Sequence, residues 1–335
     1  MAVRRIKERV LADLDAALAQ ARRSLRARGC EVHPASTADE ARSQLAALVG
    51  DGPAVLASSP VLEEIQAAPF LRERGVPVDH TGLADALLEA LGRPGDHPRR
   101  PARRLTEEEI RQGLALLTGA GGMEEFRRRV RDRAARAACG ITGAEAVVAR
   151  FGSLVNVESE GNWGVVSNLP PVHVAVVGID QVVWDYDEAL AVVRAVAACA
   201  WGARLGSYVS VVTGPSSTSD VAGRNVRGMH GPGTVHVILL DNGRRAALER
   251  GFGELLYCLR CGACLEVCPA YARLGRAFGG PYWGGRGVAA VALAEGPEGA
   301  RRLGLEACLL DGRCREACPL GIDVPQALAH LRGQA

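Results

Sequence analysis

"CLRCGACLEVCP", residues 258–269, decides how the rest of the chain is read. Its four cysteines follow the spacing C-x2-C-x2-C-x3-C, and a proline comes at once. This is the bacterial iron–sulfur spacing, in which three cysteines serve one cluster and the fourth serves another. Gly262 and Ala263 are small enough to let backbone N–H groups approach the sulfides. Zinc sites usually pair two separate C-x2-C knuckles, and this run does not.

A crossed arrangement needs a second run, and "CLLDGRCREACP" (308–319) supplies one. Cys308, Cys314, Cys318 and Pro319 fall in register with the first run, but Asp311 stands where its second cysteine would be. The expected first cluster rests on Cys258, Cys261, Cys264 and Cys318. The second rests on Cys268, Cys308 and Cys314, with Asp311 facing the fourth iron. Aspartate oxygen is a harder ligand than thiolate for a sulfide-rich cube. Three outcomes stay open: a [4Fe-4S] cluster with an Asp-bound iron, a [3Fe-4S] cluster lacking that corner, or a second site that holds nothing.

The remaining cysteines, Cys30, Cys139 and Cys199, stand alone among apolar or small residues and read as buried structural thiols. The chain has 335 residues, 48% hydrophobic and 23% charged, with a net charge of +2. That composition can bury a core, and the balance predicts no strong attraction to nucleic acid or anionic lipid. Basic runs such as "RRPARR" (99–104) and "RRRVRDR" (127–133) have acids close by and read as solvated faces. No apolar run approaches the ~18 residues that span a bilayer. The charged N-terminus lacks a signal-peptide core, so the reading is a cytoplasmic protein that meets a membrane only through partners.

Helical patterning covers 4–28, about 38–48 and about 123–138. Thr106 before three glutamates predicts a capped helix start. "GPAVLASSP" (52–60) and "VPVDHTG" (76–82) read as short strands. "GITGAEAVVARFGSLVNVES" (140–159), "VHVAVVGIDQVV", "SYVSVVTGP" and "TVHVILLDNG" are further candidates rich in valine and isoleucine. Near-continuous apolar strands mixed with helices predict a largely parallel sheet covered on both faces. The expected division is an α/β domain over 1–250 and a small helical iron–sulfur domain over 251–335.

These pieces together resemble the family of iron–sulfur proteins of bacterial lactate utilisation. In that family a lactate-utilisation (LUD) domain precedes a two-cluster ferredoxin-type segment. The matching stretches run in the family's order: "GITGAEAVVA" (140–149), "SEGN" (159–162), "LPPVHVAVVGIDQVV" (169–183), "GPSSTSDV" (214–221), "HGPGTVHVILLDNGR" (230–244) and "CLRCGACLEVCPAY". Residues 50–139 match more loosely, in "LASSPVLEEI" and "DHPRRPA". The resemblance implies a domain similar to the NagB/RpiA/CoA-transferase-like group. It also implies two sister subunits, with which the chain would oxidise L-lactate while relaying electrons. The chain departs from the family at "ARFGS" (149–153), where an acidic-Thr-Gly stretch is usual, and at "GGPYWGG" (279–285), which lacks the usual histidine. It also ends soon after the second run.

Outside the cysteines, Glu160 invites comparison with the nucleophilic glutamate of CoA-transferase-like enzymes. Its neighbours Gly161 and Asn162 equally suit a plain turn with Glu160 solvated. Asn162, Gly214, Ser216, Thr218 and Asp220 are candidate contacts for a small anionic substrate. Nothing in "TGPSSTSD" carries a nucleotide fingerprint. His173 and His236 lie inside apolar strands and read as core histidines. Two functions follow as expectations. One is an electron-transfer subunit of a 2-hydroxy-acid oxidising complex. The other is an oxidoreductase whose own LUD pocket converts a small organic acid or acyl substrate.

Overall fold

The valine-rich runs form two sheets in a computed structural model that describes residues 2–221 and 223–333. The larger sheet contains β1 (Glu31–Ala35), β2 (Ala54–Leu56), β3 (Val78–His80), β4 (Cys139–Thr142), β7 (Val172–Gly178) and β12 (Thr234–Leu240). Their order is β1-β12-β7-β4-β2-β3, and every neighbouring pair is parallel. Along β7, Val174 and Val176 enter one apolar cluster while Ala175 and Val177 enter another on the opposite face. Burial on both faces is why this strand shows no alternation in sequence.

The second sheet departs from the expected single layer. It holds β5 (Ala146–Val148), β6 (Ser153–Glu158), β8 (Val182–Val183) and β9 (Tyr208–Val212), in the order β8-β5-β6-β9. Only β5 and β8 run parallel. The stretch 140–159 therefore feeds both sheets, and Gly143 lies where the chain crosses between them. A Cβ at Gly143 would collide with Ser59 Oγ, so glycine alone passes. β10 (Ser217–Val221) and β11 (Arg224–Arg227) form a separate antiparallel pair.

Two local readings also change. The patterning over 4–28 resolves into helices Ala2–Ala12 and Leu14–Ala27, because Asp13 turns its carboxylate onto the Ala16 N–H and starts a new helix. β1, "EVHPA", is too short and too polar to stand out. It forms the sheet edge, where Pro34 is tolerated.

One apolar cluster runs from Val3 and Leu18 through Val177 and Leu239 to Leu265, Leu328 and Leu331. The helices beyond 251 thus pack onto the same core as the N-terminal helices. Arg4 fastens them by donating from Nη1 to the Leu320 carbonyl at 2.7 Å and by pairing with Glu254.

Beside that core lies a buried charge network. Arg244 donates to both Glu64 oxygens at 2.8 Å and pairs with Asp180, and Lys7 donates to the Asp180 carbonyl. All four residues are at most 4% exposed. Arg244→Met would remove the hydrogen-bonding partner of two buried carboxylates and leave them only the longer contacts of Arg260 at 3.6–3.7 Å; breaking such a buried pair typically costs about 3–5 kcal/mol. We expect that loss as a lower urea midpoint at unchanged slope.

The buried His173 ring shares a 2.7 Å hydrogen bond with Thr142 Oγ1. Desolvation, with a smaller push from His236, lowers its pKa to about 4. Unfolded, it would take a proton near its ordinary value of about 6.5. Between those values the unfolded chain binds more protons, so stability present at neutral pH is lost as pH falls toward 4. The loss is roughly 3 kcal/mol at about 1.4 kcal/mol per pKa unit. His173→Gln should flatten this part of the urea midpoint–pH curve.

Candidate iron–sulfur site and the cavity beside it

The two cysteine runs fold into nearly the same backbone. A short 3-10 helix precedes each run, over Gly253–Tyr257 and Leu305–Ala307. Arg260 and Leu310, at equivalent positions, are both left-handed, with φ of 53° and 56°. Gly262 and Gly312 follow at 81° and 82°, and helices Ala263–Glu266 and Arg313–Glu316 close the turns. Left-handed conformation is costly for arginine and leucine, so its recurrence marks a shape each turn must keep. Asp311 sits in the setting of Cys261. The Arg313 N–H donates to its Oδ1 at 3.3 Å, as the Ala263 N–H does to the Cys261 sulfur.

Cys258, Cys261, Cys264 and Cys318 line one cavity. Cys268, Cys308, Cys314 and Asp311 line a second, and Cys264 reaches its wall as well. Backbone N–H groups already point at sulfur: Arg260 N–H at Cys258, 3.3 Å, and Tyr271 N–H at Cys268, 3.4 Å. Desolvation first, and neighbouring sulfurs second, push the thiols of Cys264 and Cys314 up, the latter to about 12. As free thiols these groups hold their protons at neutral pH, so loading metal must release them.

Buried polar atoms test what the two cavities suit. Arg260 Nη2 and Arg286 Nε are buried with no hydrogen-bond partner among the described residues. Arg260 lines the first cavity and Arg286 lines both. Arg244 and Arg260 both sit against two buried carboxylates, Glu64 and Asp180, and the buried Arg286 adds a further positive charge beside Arg260. Uncompensated buried positive charge is costly. An anionic, thiolate-held cluster with sulfide acceptors offsets it, and the residues fit that group.

A third cavity, of about 340 Å³, opens at the carboxyl ends of β2 and β4. The chain leaves β2 toward β3 on one side of the sheet, whereas the strands that follow β4 lie on the other. Open α/β sheets bind ligands at such a switch point. Ser58, Ser59 and Glu63 follow β2, Glu145 follows β4, and Glu158 and Glu160 come from the end of β6. Arg99, Arg100 and Arg103 form the facing wall. Pro60 and Pro98 line both this cavity and the first cysteine cavity. Arg99 ties the two together: it pairs with Glu145, with one contact at 2.8 Å, and donates to the Leu259 carbonyl at 3.1 Å. Behind it, His97 is fully buried and its Nε2 packs where a Cβ on Gly262 would go.

Residues 18–240 match the family described as LUD domain, and residues 254–322 match the 4Fe-4S dicluster domain. The chain belongs to the LUD family of lactate utilization protein B. It is 32% identical to "Lactate utilization protein B" of Anoxybacillus flavithermus over 98% of this chain and 70% of the relative. The protein of that name from Geobacillus kaustophilus is also 32% identical, over 98% and 69%. "Uncharacterized electron transport protein YkgF" of Escherichia coli is 31% identical, again over 98% and 69%. A crystal structure of a DUF162 family protein from Deinococcus radiodurans is a remote likeness, 17% identical with a TM-score of 0.39 over 68% of this chain and 98% of that one. The α/β reading stands: a LUD domain followed by a helical ferredoxin-type segment. That segment is of the iron–sulfur kind, and the role is electron transfer. Among the described residues no helix is long and apolar enough to cross a membrane.

Within the LUD domain the candidate contacts separate. Glu160 and Asn162 line the switch-point cavity. Glu160 accepts from the Leu83 N–H at 3.2 Å, and Asn162 opens the helix Asn162–Asn168. Desolvation against the wall, aided by the Asp85 and Glu158 carboxylates, raises the Glu160 pKa above the usual carboxylate range. Gly214, Ser216 and Thr218 do not line this cavity. A Cβ at Gly214 would strike the Arg28 carbonyl. Ser216 is bound into its own loop, its N–H donating to the Pro232 carbonyl at 3.0 Å. Thr218 lies in the β10–β11 pair opposite Val226. Asp220 falls in β10, with its side chain outside the described residues. None of the described side chains of "TGPSSTSD" lines this cavity.

Sequence reading missed Arg244, Arg260, Arg286 and the Arg99 clamp. "DNGR" directly after an apolar strand, and paired arginines inside "DHPRRPA", were the available signals. Cys30 and Cys139 are buried, whereas Cys199 is only half-buried and lies in electrostatic reach of Cys318.

Proposed function

We propose that this chain is the electron-relay subunit of a multi-subunit complex that oxidises a 2-hydroxy acid, L-lactate first among them. In this reading one [4Fe-4S] cluster is held by Cys258, Cys261, Cys264 and Cys318. A second, [4Fe-4S] with an aspartate ligand or [3Fe-4S], is held by Cys268, Cys308, Cys314 and Asp311. When bound, such clusters carry single electrons. The observation that supports a relay is the shared wall: Cys264 and Arg286 line both cysteine cavities. The chain's own residues would position the clusters through the two left-handed turns and compensate their charge through Arg260 and Arg286. Sister subunits would supply the oxidation chemistry, with the protein acting in the cytoplasm. The domain division at about residue 250 belongs to this reading.

The test is made on anaerobically purified chain. Dithionite should reduce it and a dye should reoxidise it, while L-lactate with the same dye gives no turnover until sister subunits are added. Turnover by the chain alone would overturn the reading. It would favour the second one, in which the LUD pocket itself binds and converts a small organic acid or acyl substrate. What favours that alternative is the raised Glu160 carboxyl facing the Arg99, Arg100 and Arg103 wall across the switch-point cavity. Under it, Glu160→Gln would abolish the turnover.

A further inference from the structure

At the opposite, amino-terminal end of the larger sheet, β1 and β12 bring three ligand-type side chains together. Glu31 is the direct parallel partner of His236. His33 lies two residues beyond Glu31 and so shares its face of the pleat. His33 Nε2 stands 3.2 Å from His236 Nδ1, and His236 Nδ1 stands 3.5 Å from Glu31 Oε2. All three donor atoms lie within 4.8 Å of one another.

These separations can be compared with a coordination sphere. Zinc binds histidine nitrogen at about 2.0–2.1 Å and carboxylate oxygen at about 2.0–2.2 Å, and in a tetrahedron this places neighbouring ligand atoms roughly 3.3–3.5 Å apart. The two measured edges bracket that value. Two imidazoles and one carboxylate suit a borderline divalent ion such as Zn²⁺, whereas Mg²⁺ and Ca²⁺ prefer oxygen donors throughout. The ligands come from paired strands, which hold position better than a loop. β1 is the sheet edge and Glu31 is exposed, so an ion has a path in and a fourth position open to water.

We propose that Glu31, His33 and His236 form a binding site for a divalent transition-metal ion, zinc by the ligand set, separate from the cysteine cavities. It pins the edge strand β1 to β12 and leaves one coordination position free. The site stands independently of the electron-relay reading.

The test uses the full chain with its iron in place, dialysed anaerobically against micromolar free Zn²⁺ and measured for zinc and iron together. The expected result is about one zinc per chain at unchanged iron, with a higher thermal midpoint. His33→Ala and, separately, Glu31→Gln should weaken zinc binding by more than about tenfold, since even an outer partner of a ligand is worth about 10–100-fold. Both residues sit at the sheet edge, and unchanged iron content reports that each variant is folded. His236→Ala is the third variant, read the same way. Zinc retained equally by all variants would overturn the proposal. So would no zinc retained by the parent chain, or zinc gained only as iron is lost, which would place it on the cysteines.

Discussion

Replacing Cys264 by serine is expected to remove the first cluster and disturb the second. Iron per chain should fall by about four, the content of one [4Fe-4S] cube, and then somewhat further. Cys264 alone among the seven cysteines lines both cavities. A serine hydroxyl is a poor ligand for sulfide-bound iron. Its loss would also leave Arg260 Nη2 and Arg286 Nε facing an uncompensated space. Iron and sulfide analysis of anaerobically prepared protein reads the outcome, with Cys199→Ser as the neighbouring control that should keep full iron. Iron unchanged in Cys264→Ser would remove this residue from the ligand set.

Asp311→Cys should have the second largest effect, in the opposite direction. The turn around 311 keeps the backbone of the turn around 261, including the left-handed residue at 310 and the glycine at 312. Asp311 is already placed to accept from the Arg313 N–H, as a ligand-bearing residue there would be. A cysteine at 311 therefore needs no rearrangement to reach the fourth corner. If the parent protein carries a three-iron cluster, its oxidised-state EPR signal should vanish in the variant while iron rises by about one per chain, the difference between [3Fe-4S] and [4Fe-4S]. If it carries an Asp-bound fourth iron, iron content should stay level. That iron should then resist a chelator that strips it from the parent, because thiolate is the softer, better-matched ligand. Identical EPR spectra, iron content and chelator sensitivity in both proteins would mean that position 311 does not face a cluster.

How much of this was legible beforehand follows from how far apart the participating residues lie. The strands β2, β7, β9 and β12 each announce themselves as apolar runs, and the Thr106 cap reads directly from the three glutamates after it. β1 does not, because five residues interrupted by a histidine and a proline carry no period. The second sheet was hidden for another reason. Nothing local distinguishes a strand that stays in the parallel sheet from one that leaves it past Gly143.

The site divides in the same way. Metal-ligand spacing is a local property, because a cluster held by one turn needs its thiolates a few residues apart. Spacing alone was therefore enough to establish the iron–sulfur character of residues 258–318, the register of the second run and the anomaly at Asp311. Charge compensation is not local. Arg244 meets Glu64 across 180 residues and Arg99 meets Leu259 across 160. The folded arrangement was needed to show two guanidinium groups, Arg260 and Arg286, converging on the cysteine cavities. It placed Glu160 in a switch-point cavity while sending Gly214 and Ser216 elsewhere, and it turned His236, a core histidine by pattern, toward His33. Strand order sets those meetings, and strand order is fixed by how helices and strands pack in three dimensions, which no short-range period records.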